Sequence, residues 1–349
     1  MFSKTHPYFA RIQKRILLTA SPSTKKTYHI ELEIEGERLP FKVGDSIAVC
    51  AQNDPEEVAQ ILRYVNPSDT LREFLLHKAN ISRVTGSFLK TYAPHMAPEN
   101  LNDFLHSHTL LDLFRLYKLE VSAEILEHSL LPLLPRFYSI ANSPKVFPNE
   151  VHLTVAYVEY MAHGHKRRGV GSHFLCDLAQ PHTTPIPIYV QPSHGFTVPA
   201  DPNASIILVG PGTGIAPFRA FLQERMATHA PGRNWLFFGE RHRATDFLYG
   251  DYLLALEKQE RLRLDLAFSR DGAQKIYVQH KMYEQRKSLW NWLENSAYFY
   301  LCGDAEEMAK DVEAMLRTIA SEEGQMTPEE ARHWLKKLRQ EKRFLADVY

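Results

Sequence analysis

Apolar and polar residues alternate along the first fifty positions with the two-residue period of strands, over Tyr8–Ala20, Thr27–Glu35 and Gly44–Cys50. Turn-forming Ser, Pro and Gly separate these runs. From Pro55 to about Leu131 the spacing becomes helical, as in Glu56–Val65 and Leu110–Leu116. Alternation returns at Arg136–Ala141, Glu150–Tyr160 and Pro185–Gln191, so a β-domain interrupted by a helical insert is predicted. Beyond Pro199–Asn203 the apolar strands are short and alternate with helices: Ile206–Val209, Trp235–Phe238, Leu264–Phe268 and Tyr298–Cys302. Strands apolar on both faces that alternate with helices form parallel sheets. The predicted fold class is therefore an antiparallel six-stranded barrel with a helical insert, followed by a parallel α/β domain. The expected domains are residues 1–55 and 131–199 for the barrel, 56–130 for the insert and 200–349 for the α/β domain.

A length of 349 residues exceeds what one core serves, which agrees with more than one domain. Lys+Arg and Asp+Glu both total 41, so net charge offers no reason to expect nucleic acid or a membrane surface as partner. Cys50, Cys176 and Cys302 are odd in number and far apart, which suits reduced thiols and neither a disulfide framework nor a Cys-x-x-Cys metal site. No metal is expected. The N-terminus lacks a signal-like apolar core and no run approaches the roughly 18 residues of a membrane span, so a soluble, cytoplasmic protein is expected.

Chemistry first appears where the run Ile206–Val209 breaks into Gly210-Pro211-Gly212-Thr213-Gly214 and restarts as a helix near Pro217. Glycines there are expected to take positive φ and let the backbone approach a ligand, while the helix start offers free N–H groups to a phosphate. The spacing is G-x-G-x-G, not the G-x-G-x-x-G of ordinary dinucleotide folds. A second such turn, Gly169-Val170-Gly171-Ser172, opens another apolar helix, with the Ser172 hydroxyl and backbone N–H groups available to an anion. Two turns suggest two nucleotides. Arg136 and Tyr138 share one face of the strand Arg136-Phe137-Tyr138-Ser139, a cation for phosphate beside a flat ring, although such a string also suits an ordinary edge strand.

Taken in order, Arg136–Ser139, Gly169–Ser172, Gly210–Arg219, Ser269-Arg270-Asp271, Lys275-Ile276-Tyr277-Val278-Gln279, Leu301-Cys302-Gly303-Asp304 and Asp347-Val348-Tyr349 resemble the ferredoxin–NADP reductase-like half of diflavin reductases, and most closely its sulfite reductase flavoprotein branch. The resemblance covers nearly the whole chain. It implies that Arg136, Phe137, Tyr138 and Ser139 hold FAD, with Thr154, Val155 and Ala156 along the flavin-bearing strand. It further implies that Tyr160 stacks on the adenine, a residue that alone also reads as a packed strand aromatic, and that Gly169, Val170, Gly171 and Ser172 cradle the FAD pyrophosphate. Gly212, Thr213 and Gly214 would face the pyrophosphate of NADPH, with Arg241, Ser269, Arg270, Lys275, Ile276, Tyr277, Val278, Gln279 and Asp311 completing that site. Cations and hydroxyls such as Arg241, Ser269, Arg270, Lys275 and Tyr277 suit a 2′-phosphate, whereas Asp271 is the nearby acid that would suit a ribose diol. Ser139, Cys302 and Asp347 would align nicotinamide with flavin, and Tyr349 would cover the flavin ring. By position alone Cys302, ending an apolar strand, is a core residue.

The function so implied is an NADPH-dependent FAD reductase, in which hydride passes from NADPH to FAD and electrons go to a separate acceptor. These 349 residues begin at the barrel, without the FMN-binding domain of diflavin reductases, so a separate flavodoxin, ferredoxin or sulfite reductase hemoprotein is expected as partner. A non-catalytic nucleotide-binding subunit is the main competing class. A scaffold, however, needs none of Ser139, Cys302, Asp347 and Tyr349.

Overall fold

In a computed structural model the first strands are β1 (Tyr8–Leu17), β2 (Thr27–Glu33), β3 (Ser46–Val49), β4 (Arg136–Ser139), β5 (Glu150–Ala156), β6 (Glu159–Ala162), β7 (His165–Arg168) and β8 (Ile186–Gln191). The structure describes residues 2–36, 38–94 and 100–349, so residues 95–99 of the expected insert lie outside the described residues. One six-stranded sheet runs β4-β3-β8-β1-β2-β5, with β2 antiparallel to both β1 and β5. The run expected to be continuous over Glu150–Tyr160 is instead two strands. β5 is buried along most of its length, whereas β6 is exposed and pairs with β7 as a separate hairpin. His163 and Gly164 both take positive φ at its tip, the backbone that a two-residue hairpin turn requires.

Six short helices between Pro55 and Ser129 are described, and each begins at a polar residue whose side chain accepts a first-turn N–H: Asp54, Ser68, Thr85, Asn100, Thr109 and Ser122. Such caps satisfy donors that a helix start leaves unpaired, each for about 1 kcal/mol. Their apolar faces meet in one core that includes Leu71, Leu75, Phe88, Leu110, Leu113 and Phe114.

The third set of strands, β9 (Ile206–Val209), β10 (Asn234–Glu240), β11 (Arg263–Phe268), β12 (Tyr298–Gly303) and β13 (Phe344–Val348), forms a parallel sheet in the order β11-β10-β9-β12-β13. Burial on both faces explains the continuous apolar runs of the central strands β9, β10 and β12. Ile207, Val209, Trp235, Phe237, Phe299 and Leu301 point into one core, and Ile206, Leu208, Leu236, Phe238, Tyr300 and Cys302 into the other. β13 was not expected as a strand, because Phe344–Val348 alternates buried and exposed positions at the sheet's edge instead of running apolar.

By internal contacts the chain falls into two compact units, Met1–Phe9 with Ala48–Phe137 and Tyr157–Tyr189, and Ala10–Ile47 with Tyr138–Ala156 and Val190–Tyr349. Among the described residues no helix is long and apolar enough to cross a membrane.

Candidate functional site

Within the second unit a cavity of about 620 Å³ lies at the carboxyl ends of the parallel strands, the edge at which open α/β sheets bind ligands. Its wall is built from the residues that follow each strand: Pro211, Gly212 and Thr213 after β9, Glu240 and Arg241 at the end of β10, Ser269 after β11, and Gly303 and Asp304 at the end of β12. Strand order reverses at β9 and β12, so the turn after β9 faces a natural crevice.

That turn is tighter than expected. Residues Gly212–Gly214 form a single 3-10 turn and the helix starts at Ile215, two residues before the expected Pro217. Of the three glycines only Gly212 has positive φ, at 56°. Gly214 is helical, and its requirement is space: a Cβ there would lie 2.1 Å from the Cys302 carbonyl oxygen. The turn is thus pressed onto the end of β12, and its backbone N–H groups open the helix Ile215–Ala227.

Of the residues expected around the nicotinamide nucleotide, Gly212, Thr213, Arg241, Ser269, Tyr277, Val278, Gln279 and Asp311 line the cavity, while Gly214, Arg270, Lys275 and Ile276 do not. Gln279 donates to Asp311 Oδ2 at 2.9 Å. Arg241 is partly committed, its Nη1 donating to Thr24 Oγ1 at 2.8 Å. Asp271, the acid that would have suited a diol, lies outside the lining and accepts from the Arg243 N–H at 2.9 Å, with His242 Nδ1 3.1 Å away. The hydroxyls of Ser269 and Tyr277 therefore stand in the wall without that carboxylate. Lys25, Glu240 and Glu307, not anticipated, also line it, as does Asp304 of the Leu301–Asp304 motif. Lys25 sits in the turn between β1 and β2, and a basic pair in such a turn carries little signal of its own.

Beside the cavity the structure brings together three residues far apart in sequence. Ser139 Oγ donates to Asp347 Oδ2 at 3.2 Å, and the parallel register of β12 and β13 pairs Cys302 with Asp347. Burial raises the Asp347 carboxyl above its ordinary range, and the Ser139 hydrogen bond opposes the shift. The Cys302 thiol is raised further, first by burial and then by the Asp347 charge, so it is a neutral group. Cys302 is fully buried, as its position alone suggested. Tyr349 lies at the cavity's edge, its backbone bonded to Gly303 O at 3.1 Å and its hydroxyl 2.8 Å from Thr213 Oγ1.

The residues expected to bind FAD divide between the units. In the second, Ala156 lines the cavity, whereas the side chains of Thr154 and Val155 are buried. Thr154 Oγ1 lies 2.6 Å from the Tyr249 hydroxyl, so on the strand expected to carry flavin its side chain faces the core. In the first unit Arg136 Nη1 donates to Leu134 O at 2.7 Å, and the Phe137 ring is exposed. Tyr160 is exposed on β6 and lines a polar cavity of about 270 Å³ with Arg115, Lys166, Arg167 and Arg168. Gly169 caps the helix Val170–His173, and a Cβ on it would lie 2.9 Å from Val158 Cβ. The Ser172 hydroxyl is not free for an anion as expected: it accepts from Val158 N and donates to Gly169 O, both at 3.1 Å, holding the turn in shape. What the turn leaves for an anion is its first-turn backbone N–H groups, which have no carbonyl behind them.

Elsewhere in the second unit, His29, Glu31 and His152 bring ligand-type atoms within 4.8 Å of one another, all buried. The trio is already charge-balanced: Lys14 Nζ is 3.0 Å from Glu31 Oε2, Glu150 Oε2 is 2.7 Å from His152 Nε2, and Arg219 Nη1 is 3.4 Å from His152 Nδ1. Burial, and next the Arg219 charge, lower the His29 pKa to about 3 and that of His152 to about 4. Both rings stay neutral in the fold while an unfolded chain would protonate them from about pH 6.5 downward. Stability is therefore complete above that pH and is lost as pH falls toward the folded-state values. A tenfold change in proton affinity is about 1.4 kcal/mol, so the rings together account for several kcal/mol. Urea unfolding at about pH 7 and about pH 4 should show that loss in the wild type and a much smaller one in H29N/H152N; equal losses would remove these rings as its source.

Comparison with known proteins adds to this geometry. A family described as an FAD binding domain matches residues 1–96 and 98–174, and one described as an oxidoreductase NAD-binding domain matches residues 208–314. The flavoprotein α-component of NADPH sulfite reductase from Mannheimia succiniciproducens is 39% identical over 370 aligned residues, that from Bacillus subtilis 40% over 375, and that from Escherichia coli O157:H7 36% over 370. Each alignment covers 100% of this chain and 62% of the relative, so the chain spans about three fifths of the length of these proteins.

Proposed function

Since the chain belongs to the diflavin-reductase family of oxidoreductases and carries its FAD-binding and NAD-binding domains, we propose that it is the NADPH-oxidising component of a sulfite reductase, delivering electrons to a separate hemoprotein in the cytoplasm. FAD and NADPH are its cofactors. The observation that carries the reading is the convergence, in one unit, of a phosphate-type glycine turn with the Ser139–Asp347 pair and the terminal Tyr349. The division into a barrel (1–55 and 131–199), an insert (56–130) and an α/β domain (200–349) belongs to the same proposal.

The donor set suits the nucleotides. The first-turn N–H groups at Gly169–Ser172 and at Gly212–Gly214 would each hold a pyrophosphate, and the glycines permit the approach. Ser269 and Tyr277 would take the 2′-phosphate by hydroxyl donation, with Arg270 and Lys275, exposed next to them in sequence, adding charge. Bound FAD supplies a ring that accepts a hydride and releases electrons singly or in pairs. The chain's part is positioning. Asp347 Oδ2, oriented by Ser139, presents negative charge where nicotinamide becomes cationic, and the neutral Cys302 packs without adding charge. Tyr349, tied to Thr213, closes the turn until the nucleotide displaces it.

Anaerobic stopped-flow tests the reading. Flavin should bleach with NADPH at least about 100-fold more efficiently than with NADH, and S269A/R270A should lose about tenfold or more of that preference, because a phosphate's charge-assisted bonds are strong ones. Reoxidation by a sulfite-reducing hemoprotein is expected. Bound flavin that neither nucleotide bleaches would instead support a non-catalytic subunit.

A further inference from the structure

We propose that Lys25 and Glu240 form a charge-exchange pair that sets nucleotide affinity, Lys25 leaving Glu240 to meet the diphosphate of the incoming dinucleotide. This rests on the reading of the cavity as the NADPH site. Among the described residues the cavity wall holds Glu240, Asp304, Glu307 and Asp311 against only Lys25 and Arg241 as cations, the wrong balance for a ligand that brings several negative charges. Glu240 is the most adverse of the four. Its side chain is only 4% exposed, and its Oε1 lies 3.5 Å from where a Cβ on Gly212 would stand, against the turn that would hold the diphosphate.

Lys25 Nζ forms an ion pair with that Oε1, while Oε2 accepts the Arg241 N–H at 2.7 Å. The loop delivering Lys25 is braced on both sides. Thr19 Oγ1 donates to Lys25 O at 3.0 Å, Lys25 N donates to Ser23 Oγ at 3.0 Å, and the neighbouring Thr24 accepts from Arg241 at 2.8 Å. The Lys25 side chain itself is 36% exposed, so its flexible stem can turn the ammonium into the cavity while the backbone stays in place. Glu240 then keeps one hydrogen bond to the backbone. The carboxylate thus acts twice against the ligand, by repulsion and by competing for Lys25, and the observed affinity is the difference between Lys25 on phosphate and Lys25 on Glu240.

Titration calorimetry of NADP⁺ into the FAD-loaded protein tests this. Glu240→Gln should tighten binding about 5- to 10-fold, Lys25→Met should weaken it about 10-fold or more, and the double variant should return to within about 3-fold of wild type, because the unpaired buried carboxylate is then gone. Lys25→Arg should bind within about 3-fold of wild type, separating loss of charge from loss of fold. Unchanged or weaker binding in Glu240→Gln, or a double variant as weak as Lys25→Met, overturns the pair. Saturable wild-type binding that ignores both substitutions overturns the pair alone, and a wild type that gives no binding isotherm overturns the cavity reading together with it.

Discussion

Replacing Gly214 by alanine is expected to abolish NADP⁺ binding and to destabilise the second unit by several kcal/mol. The added methyl would sit 2.1 Å from Cys302 O, 2.8 Å from Cys302 C and 3.3 Å from Gly303 Cα, all backbone atoms of β12. No rotamer change relieves such a contact. β12 is the neighbour of β9 in the sheet, so the turn must lift away from the strand it is pressed against. Overpacking of this kind costs about 1–3 kcal/mol where side chains can move and more where they cannot. Gly212 provides the contrast: it has positive φ and an open surround, its nearest foreign atom being Glu240 Oε1 at 3.5 Å. Gly212→Asn should therefore fold with a loss of about 1 kcal/mol or less, since asparagine tolerates that backbone. Thermal melting with calorimetry separates the two, and a Gly214→Ala protein that melts and binds like wild type would refute the close approach.

The two glycines also differ in a way that local sequence does not encode. The break in the apolar run at Gly210 announced a turn, but not which constraint each glycine meets, because a close approach involves a partner strand some ninety positions later. Hydrophobic pattern placed β9 to β12 within a residue or two, since β9, β10 and β12 are buried on both faces and read as continuous apolar runs, while the edge strand β11 keeps apolar residues around Asp265. It missed β13, half exposed at an edge, and it joined β6 to β5, because the strand-like pattern of residues carries on through Tyr160 although β6 pairs elsewhere and is exposed. Ser139, Cys302 and Asp347 were reached only through family resemblance. What joins them is the pairing of β13 with β12, which sets Asp347 beside Cys302, and the hydrogen bond from Ser139 on β4 to Asp347, both invisible to local pattern. Lys25 and Glu240, 215 positions apart, carried no signal at all. The Ser172 hydroxyl misled, because a serine in a glycine turn serves backbone shape as readily as it serves a ligand.

Asp347→Asn should slow flavin reduction by about 100-fold while leaving NADP⁺ affinity within about 2-fold, the signature of an interaction that strengthens only as charge develops. The side chain is positioned for this by Ser139 at 3.2 Å, and Ser139→Ala should cost less, about 10-fold, through looser orientation. Stability should respond in the opposite direction. Burial raises the Asp347 carboxyl, which means the folded protein disfavours its charge relative to the unfolded chain. Removing that charge with a near-isosteric amide should leave the melting temperature unchanged or higher. The pH profile gives the third readout. If the ionised carboxylate is required, the wild-type rate falls on the acid side with a midpoint above the ordinary aspartate range, and this limb disappears in Asp347→Asn. A variant that reduces flavin at the wild-type rate, or that retains the acid limb, would reassign the charge-stabilising role away from Asp347.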